Sequence, residues 1–277
     1  MCLLCEFHSG PPHGRRAFLL AAGTFVAAPA LAQVDVGEAS MARNIVPAEN
    51  IEQAGVQQYH QLLAQARAKG ALAPDGNASL QRLRAIARKI IPFTAQWNPR
   101  AASWKWEVNL IGSKQINAFC MPGGKIAFFT GILDQLKLTD DEIAMVMGHE
   151  MAHALREHAR ARLAKNAGTG AVLSITAQLL GLGQAGDLAA RAGTQLITLK
   201  FSRSDETDAD LVGLELAARA GYDPRASVSL WTKMAKASKS EGALGFLSTH
   251  PSGPDRIKVL QANVPKVEGL YQASRRG

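Results

Sequence analysis

Residues 147–153 read Met-Gly-His-Glu-Met-Ala-His, and no other stretch restricts the fold so strongly. Residues four apart on an α-helix lie one turn above each other on one face. If this stretch is helical, His149 and His153 aim both imidazoles at one metal ion, with Glu150 beside the remaining coordination position. A fold that uses this arrangement must bury that helix face. It must also bring further ligands from elsewhere in the chain.

The flanking residues support the helix. Thr139 and Glu142 are spaced as a capping box, and Asp140, Asp141 and Glu142 suit the positive end of the helix dipole. The pattern predicts one helix from Asp140 to about Ala164. Gly148 costs helix stability, which suggests close packing next to the metal. His158 lies five residues past His153, rotated away from the ligand face, and is expected in solvent. The pattern is that of zinc peptidases, in which two His bind the ion and the Glu is a general base. Catalytic zinc takes three protein ligands and keeps one open position. A metzincin-type continuation would need Gly at 156 and His at 159, but Arg156 and Ala159 stand there. The third ligand must come from farther away. Residues 202–210, Ser-Arg-Ser-Asp-Glu-Thr-Asp-Ala-Asp, open a second helix that is expected to end at Gly221. Glu206 and Asp210 share a face. Glu206 can supply the third ligand, and Asp210 can orient a ligand imidazole from behind.

The chain has 277 residues, 47% of them hydrophobic, which allows a sizeable core. The net charge is +8, but the Lys and Arg are scattered, with no aromatic-basic strip, so no nucleic-acid partner is expected. Residues 1–32 read as a signal peptide. Arg15-Arg16-Ala17-Phe18-Leu19 is twin-arginine-like, Phe18 to Leu31 is apolar, and Ala30-Leu31-Ala32 is a small-x-small cleavage site. The apolar run is shorter than the ~20 residues that span a bilayer. Cys2 and Cys5 would leave with the signal, and Cys120 is expected buried and unreactive.

Residues 33–98 are expected to form an N-terminal helical segment packing on the core. Helical spacing covers Pro47–Lys69 and the stretch from Leu80 to Ile90, and His60 is expected at the surface. Period-two alternation then marks strands at Trp104–Leu110, Ile116–Cys120 and Lys125–Thr130, with a turn at Met121-Pro122-Gly123-Gly124. A small antiparallel sheet packed on the His-Glu-x-x-His helix, in an otherwise mostly helical α+β chain, is the expected fold class. The sheet edge can hold an extended peptide. The apolar stretch Ala171–Leu182 is expected to cover the site as a buried helix, with peripheral membrane contact as the alternative. Asp223 and Pro224 start another helix whose Trp231 and Met234 are core. His250 falls in a loop. Pro254 opens the last helix, and the tail after Pro265 is expected to fray.

Four motifs in order resemble the CAAX prenyl protease/HtpX family of gluzincin zinc metallopeptidases. They are Gly-His-Glu-x-x-His at 148–153, Ser-Arg-x-x-Glu-x-x-Ala-Asp at 202–210, Asn117-Ala118-Phe119-x-x-Pro122-Gly123-Gly124, and Thr249-His250-Pro251 followed by Arg256. The resemblance covers roughly residues 100–262. With an export signal it is similar to the periplasmic, BepA/LoiP-like branch. It implies a zincin-like peptidase domain over 99–277, with one Zn²⁺ held by His149, His153 and Glu206. It further implies that His250 and Arg256 lie near the metal and stabilise the oxyanion, or that His250 fills the open position in a latent form. Asn117, Ala118 and Phe119 would bind substrate. Misfolded or unassembled envelope proteins would be substrates, outer-membrane assembly machinery a partner, and the periplasm the location. A rival class is a chaperone-like binding factor that holds zinc and rarely cleaves. A third is a protein that uses zinc only for structure.

Overall fold

A computed structural model of the chain describes residues 34–166, 196, 199–237, 244–250 and 255–276. The export segment, Cys2, Cys5, the apolar stretch Ala171–Leu182, Pro251 and Pro254 lie outside the described residues. All described residues fall within one unit, Ala32–Gly277.

Helix α1 (Ala48–Ala68) starts behind Pro47, and α2 (Ala78–Ile90) is capped by the Asn77 side chain, which accepts from the Leu80 amide. The chain then forms three strands, β1 (Glu107–Ile111), β2 (Ala118–Met121) and β3 (Lys125–Phe129). Their order is β1-β3-β2. β2 and β3 form an antiparallel hairpin, whose turn uses Gly123 and Gly124 at φ +85° and +77°, values that L side chains rarely adopt. β1, however, runs parallel to β3. The sheet is therefore mixed, which corrects the expected antiparallel sheet. The hairpin folds back so that β3, not β2, lies beside β1.

Both faces of this sheet are buried, so the strands are not half-exposed as their alternation suggested. Side chains alternate between faces. Phe119, Met121, Ala127 and Phe129 meet Tyr59 and Leu63 of α1, whereas Ala118, Cys120, Ile126 and Phe128 join the main core. The Tyr59 hydroxyl donates to the Ile126 carbonyl at 2.6 Å, tying α1 to the sheet. The outer edge of β1 is covered by the chain after α1, through an isolated bridge between Leu72 and Ile111 and a bond from the Ala73 amide to the Leu110 carbonyl. β2 forms the other edge.

α3 (Thr130–Leu136) leads into α4 (Asp140–Leu155). The capping box is present: the Thr139 amide donates to Glu142 Oε2 at 2.9 Å, and the Glu142 amide donates to Thr139 Oγ1 at 3.3 Å. α4 stops at Leu155 instead of running to Ala164. Glu157 adopts φ +57°, and a new helix, α5 (His158–Asn166), starts at the next residue. α6 (Arg203–Arg219) carries a second capping box, Ser202 with Asp205, and the chain turns at Gly221 with φ +85°. α7 (Ala226–Ala237), α8 (Leu244–Thr249) and α9 (Arg256–Ser274) complete the described chain. The tail is not frayed. α9 continues through Pro265 because Val267 and Tyr271 are buried against the core.

The fold is the mostly helical, zincin-like α+β class expected. Leu80, Leu83 and Ile90 of α2 share one core with Ile143, Val146 and Met147 of α4 and Val212 and Leu216 of α6. No helix among the described residues is long and apolar enough to cross a membrane.

Candidate metal centre

α4 and α6 cross backbone to backbone. A Cβ built on Gly148 would lie 2.6 Å from the Gly213 carbonyl oxygen, and one built on Gly213 would lie 2.5 Å from the His149 amide nitrogen. Neither distance is tolerable, so both positions require glycine. The close crossing brings His149 and His153 of α4 against Glu206 and Asp210 of α6. The end of α8 adds His250, and the start of α9 adds Arg256. All six are buried.

The imidazole and carboxylate atoms converge. His149 Nε2 lies 3.1 Å from His153 Nε2 and 3.6 Å from Glu206 Oε2. His153 Nε2 lies 3.4 Å from Glu206 Oε1. His250 Nδ1 lies 3.0 Å from Glu206 Oε1 and 3.3 Å from His149 Nε2. One ligand atom from each of His149, His153, Glu206 and His250 falls within 4.8 Å of the others. Glu150 sits alongside, with its Oε1 3.6 Å from His250 Nε2.

Second contacts set the tautomers. Asp210 Oδ1 lies 3.0 Å from His149 Nδ1 and accepts a hydrogen bond from its N–H, which leaves the lone pair on Nε2 facing the cluster. Asp210 is itself held by Arg256, which donates from Nη2 to Oδ1 at 2.8 Å and from Nε to Oδ2. Arg256 also reaches Glu206 Oε2 at 2.8 Å, and its guanidinium lies over the Trp231 ring, 3.4 Å from the centroid. Arg256 thus bridges the two acids, and its Nη2 also lies 3.3 Å from His149 Nδ1.

The electrostatics agree. Burial pushes the Glu150 carboxyl above the usual carboxylate value, against the pull of His250 and His149. Burial drives His153 well below the usual imidazole value, so it is neutral. Glu206 and Asp210 are buried, which opposes ionisation. The imidazoles of His153 and His250 beside it outweigh this for Glu206, and Arg256 and His149 outweigh it for Asp210, so both stay ionised. The site thus sets imidazole nitrogens, with His153 neutral, around an anionic carboxylate. Such a set fits a divalent cation, and imidazole with carboxylate suits zinc among others. Glu150 Oε1 is buried with no hydrogen-bond partner, as fits a group that acts on something not among the protein's own atoms.

Asn117, just before β2, and Ala118 and Phe119, its first residues, line a cleft with Glu150, His153 and His250. β2, an edge strand of the described sheet, therefore runs beside the cluster. Cys120 is buried and its thiol is pushed well above its usual value by burial, as an unreactive cysteine should be. His60 is exposed, near Glu107.

One expectation is overturned. His158 is buried, with its Nδ1 2.9 Å from His153 Nδ1. On a continuous helix it would have pointed away, but the break at Glu157 turns it back to the site. The sequence offers no glycine or proline at the break to signal this. The aromatic walls were also missed: Phe201 stacks on His153 at 3.9 Å between ring centroids and Phe246 on His250 at 4.3 Å. Lone aromatics carry no local signal for such contacts.

The profile described as Peptidase family M48 matches residues 77–264. The chain is 42% identical to Mitochondrial metalloendopeptidase OMA1 of Arabidopsis thaliana, over 57% of this chain and 32% of that protein. It is 27% identical to Metalloprotease LoiP of Escherichia coli, over 70% of this chain and 73% of that protein. It is 31% identical to the Beta-barrel assembly-enhancing protease of Yersinia pestis, over 53% and 32%. The match spans about a third to a half of the mitochondrial relatives' own length. The motif resemblance therefore holds at the level of the peptidase family. The bacterial relatives include the branch expected, but the mitochondrial one named here is more similar in sequence.

Proposed function

This chain belongs to peptidase family M48, and on that footing we propose that it is a zinc-dependent endopeptidase acting on protein or peptide substrates. The observation that carries this reading is the convergence of His149, His153 and Glu206 on one point, with buried Glu150 beside it and the β2 edge along the same cleft. His149, His153 and Glu206 hold the ion. Zinc bound there supplies Lewis acidity for the scissile carbonyl and the attacking water. Glu150, with its carboxyl raised by burial, takes the proton from that water and passes it to the leaving amine. The β2 edge at Asn117–Phe119 pairs with an extended substrate backbone. Arg256 fixes the acid pair, and His250 stands next to Glu150, where an oxyanion-stabilising donor is useful.

Export to the periplasm and action on misfolded or unassembled envelope proteins complete the proposal. The signal-like residues 1–32 and the similarity to LoiP and to a protease named for enhancing β-barrel assembly support it. Outer-membrane assembly machinery is the corresponding partner. The test is digestion of casein or an unfolded porin by purified, zinc-loaded residues 33–277. Cleavage by the wild-type chain that is lost in Glu150→Gln, with zinc retained, is the expected result. Cleavage that survives Glu150→Gln would sink the mechanism.

A second reading has its own observation. His250 Nδ1 stands 3.0 Å from Glu206 and 3.3 Å from His149, so it is placed as a fourth ligand. In that arrangement the enzyme is latent and acts mainly as a chaperone-like binding factor. No cleavage by the zinc-loaded wild type, together with cleavage by His250→Ala, identifies this state.

A further inference from the structure

His153 does not have an acid behind it as His149 does. Its Nδ1 faces another imidazole, His158 Nδ1, at 2.9 Å. Two nitrogens at that distance share one proton, so one donates and the other accepts. The far side of His158 decides which. His158 Nε2 lies 3.1 Å from Asp208 Oδ2, and a carboxylate oxygen only accepts. His158 therefore carries its proton on Nε2 and offers a lone pair at Nδ1. His153 must then carry its proton on Nδ1, which leaves the lone pair on Nε2, the atom that faces His149 and Glu206.

We propose that Asp208 and His158 form a positioning relay that sets the tautomer and ring direction of the metal ligand His153. This rests on the reading of His153 as a ligand. The relay extends outward, since Arg156 donates to Asp208 Oδ2 at 2.8 Å and to the Gly37 carbonyl at 2.8 Å. Phe201 stacks on the other side of the His153 ring and limits its rotation. The two ligand histidines are thus oriented by two acids of α6: His149 directly by Asp210, and His153 by Asp208 through His158. The arrangement depends on the break at Glu157. A non-glycine residue at φ +57° is unusual, and here it is what turns His158 inward.

The test measures zinc affinity by competition with a chromophoric chelator, and the His153 tautomer by long-range proton–nitrogen NMR of the metal-free chain. His158→Leu is expected to weaken zinc binding by about 10- to 100-fold, the range for loss of a group that orients a ligand. His158→Asn can still present an acceptor near the Nδ1 position and should recover part of that loss. Glu142→Gln, a change far from the metal, serves as a destabilised control that keeps its zinc affinity. In the wild-type chain, NMR should show His153 protonated at Nδ1 and His158 at Nε2. Unchanged zinc affinity in His158→Leu, or a His153 proton on Nε2 in the wild type, overturns the relay. The NMR result stands even if His158→Leu does not fold. Failure of the wild-type chain to bind zinc at all would overturn the metal-site reading itself, which keeps the two failures apart.

Discussion

Gly148 and Gly213 meet where α4 and α6 cross, so closely that neither leaves room for a methyl group. One residue beyond Gly148 is His149, and three residues before Gly213 is Asp210, 3.0 Å from that histidine's Nδ1. The metal cluster is therefore built on a helix–helix contact, and its dimensions depend on backbone spacing as much as on ligand side chains.

Substituting either glycine should widen the site. Gly213→Ala places a Cβ against the His149 backbone, which cannot rotate away. Overpacking of this kind costs about 1–3 kcal/mol, and the separated helices should lose at least about tenfold in zinc affinity, since ligand geometry depends on their supporting contacts. Thermal melting and a zinc titration on the same variant check both. Unchanged affinity in a folded variant would show that the crossing does not set the site.

Arg256 should be a fold-critical residue as well as a site residue. It lies between Asp210 and Glu206, both buried, and against Trp231. Arg256→Ala leaves two buried carboxylates without their cation, a change that costs about 3–5 kcal/mol. Arg256→Lys should recover little, because a point charge cannot hold two acids and also stack flat on an indole. Urea unfolding of the two variants against wild type gives the comparison. Full recovery by lysine would mean that charge alone matters there.

Zinc should stabilise the chain without being needed to fold it. The site neighbours a large apolar core, with Ile126, Phe128, Ile143 and Leu216 fully buried. A ligand that binds only the folded state adds about 2.7 kcal/mol at 100 times its dissociation constant. Chelation should therefore lower the melting temperature by several degrees, abolish cleavage and leave the helical circular dichroism in place. Complete unfolding on chelation at 25 °C would instead support a structural role for the ion.

Much of this site was legible because helical spacing is a local property. His149, Glu150 and His153 lie on a helix with a readable capping box, Glu206 and Asp210 share one face of a second helix, and the structure brings the two faces together. What sequence could not show is set by distant contacts. The parallel pairing of β1 with β3 depends on which way a hairpin folds back. The need for glycine at 213 depends on a second helix. The extension of α9 past Pro265 depends on burial of Val267 and Tyr271. His158 was placed wrongly because Arg156 and Glu157 look like ordinary helix residues, and only tertiary packing selects the left-handed conformation at Glu157.

The start of α4 should make the fold acid-sensitive. Glu142 completes the capping box and also accepts from Lys233 Nζ at 2.6 Å and the Ser229 hydroxyl at 2.8 Å. Burial alone would raise its carboxyl, but these donors outweigh burial and hold it below the usual value of 4.5. A folded-state value below the unfolded one means that the native chain binds this proton less tightly. The stabilisation is therefore complete above about pH 4.5 and is lost as pH falls through the folded value. Glu142→Gln can keep the capping box but loses the charge facing Lys233, and should lower stability at neutral pH by about 1–2 kcal/mol, the size of a weakened charge-assisted bond. The same variant should lose less stability than wild type on acidification, so that the two melting curves converge toward low pH. Parallel curves from pH 7 to pH 3 would show that this carboxylate does not govern the acid limb, and the lead would pass to other ionised acids of the fold.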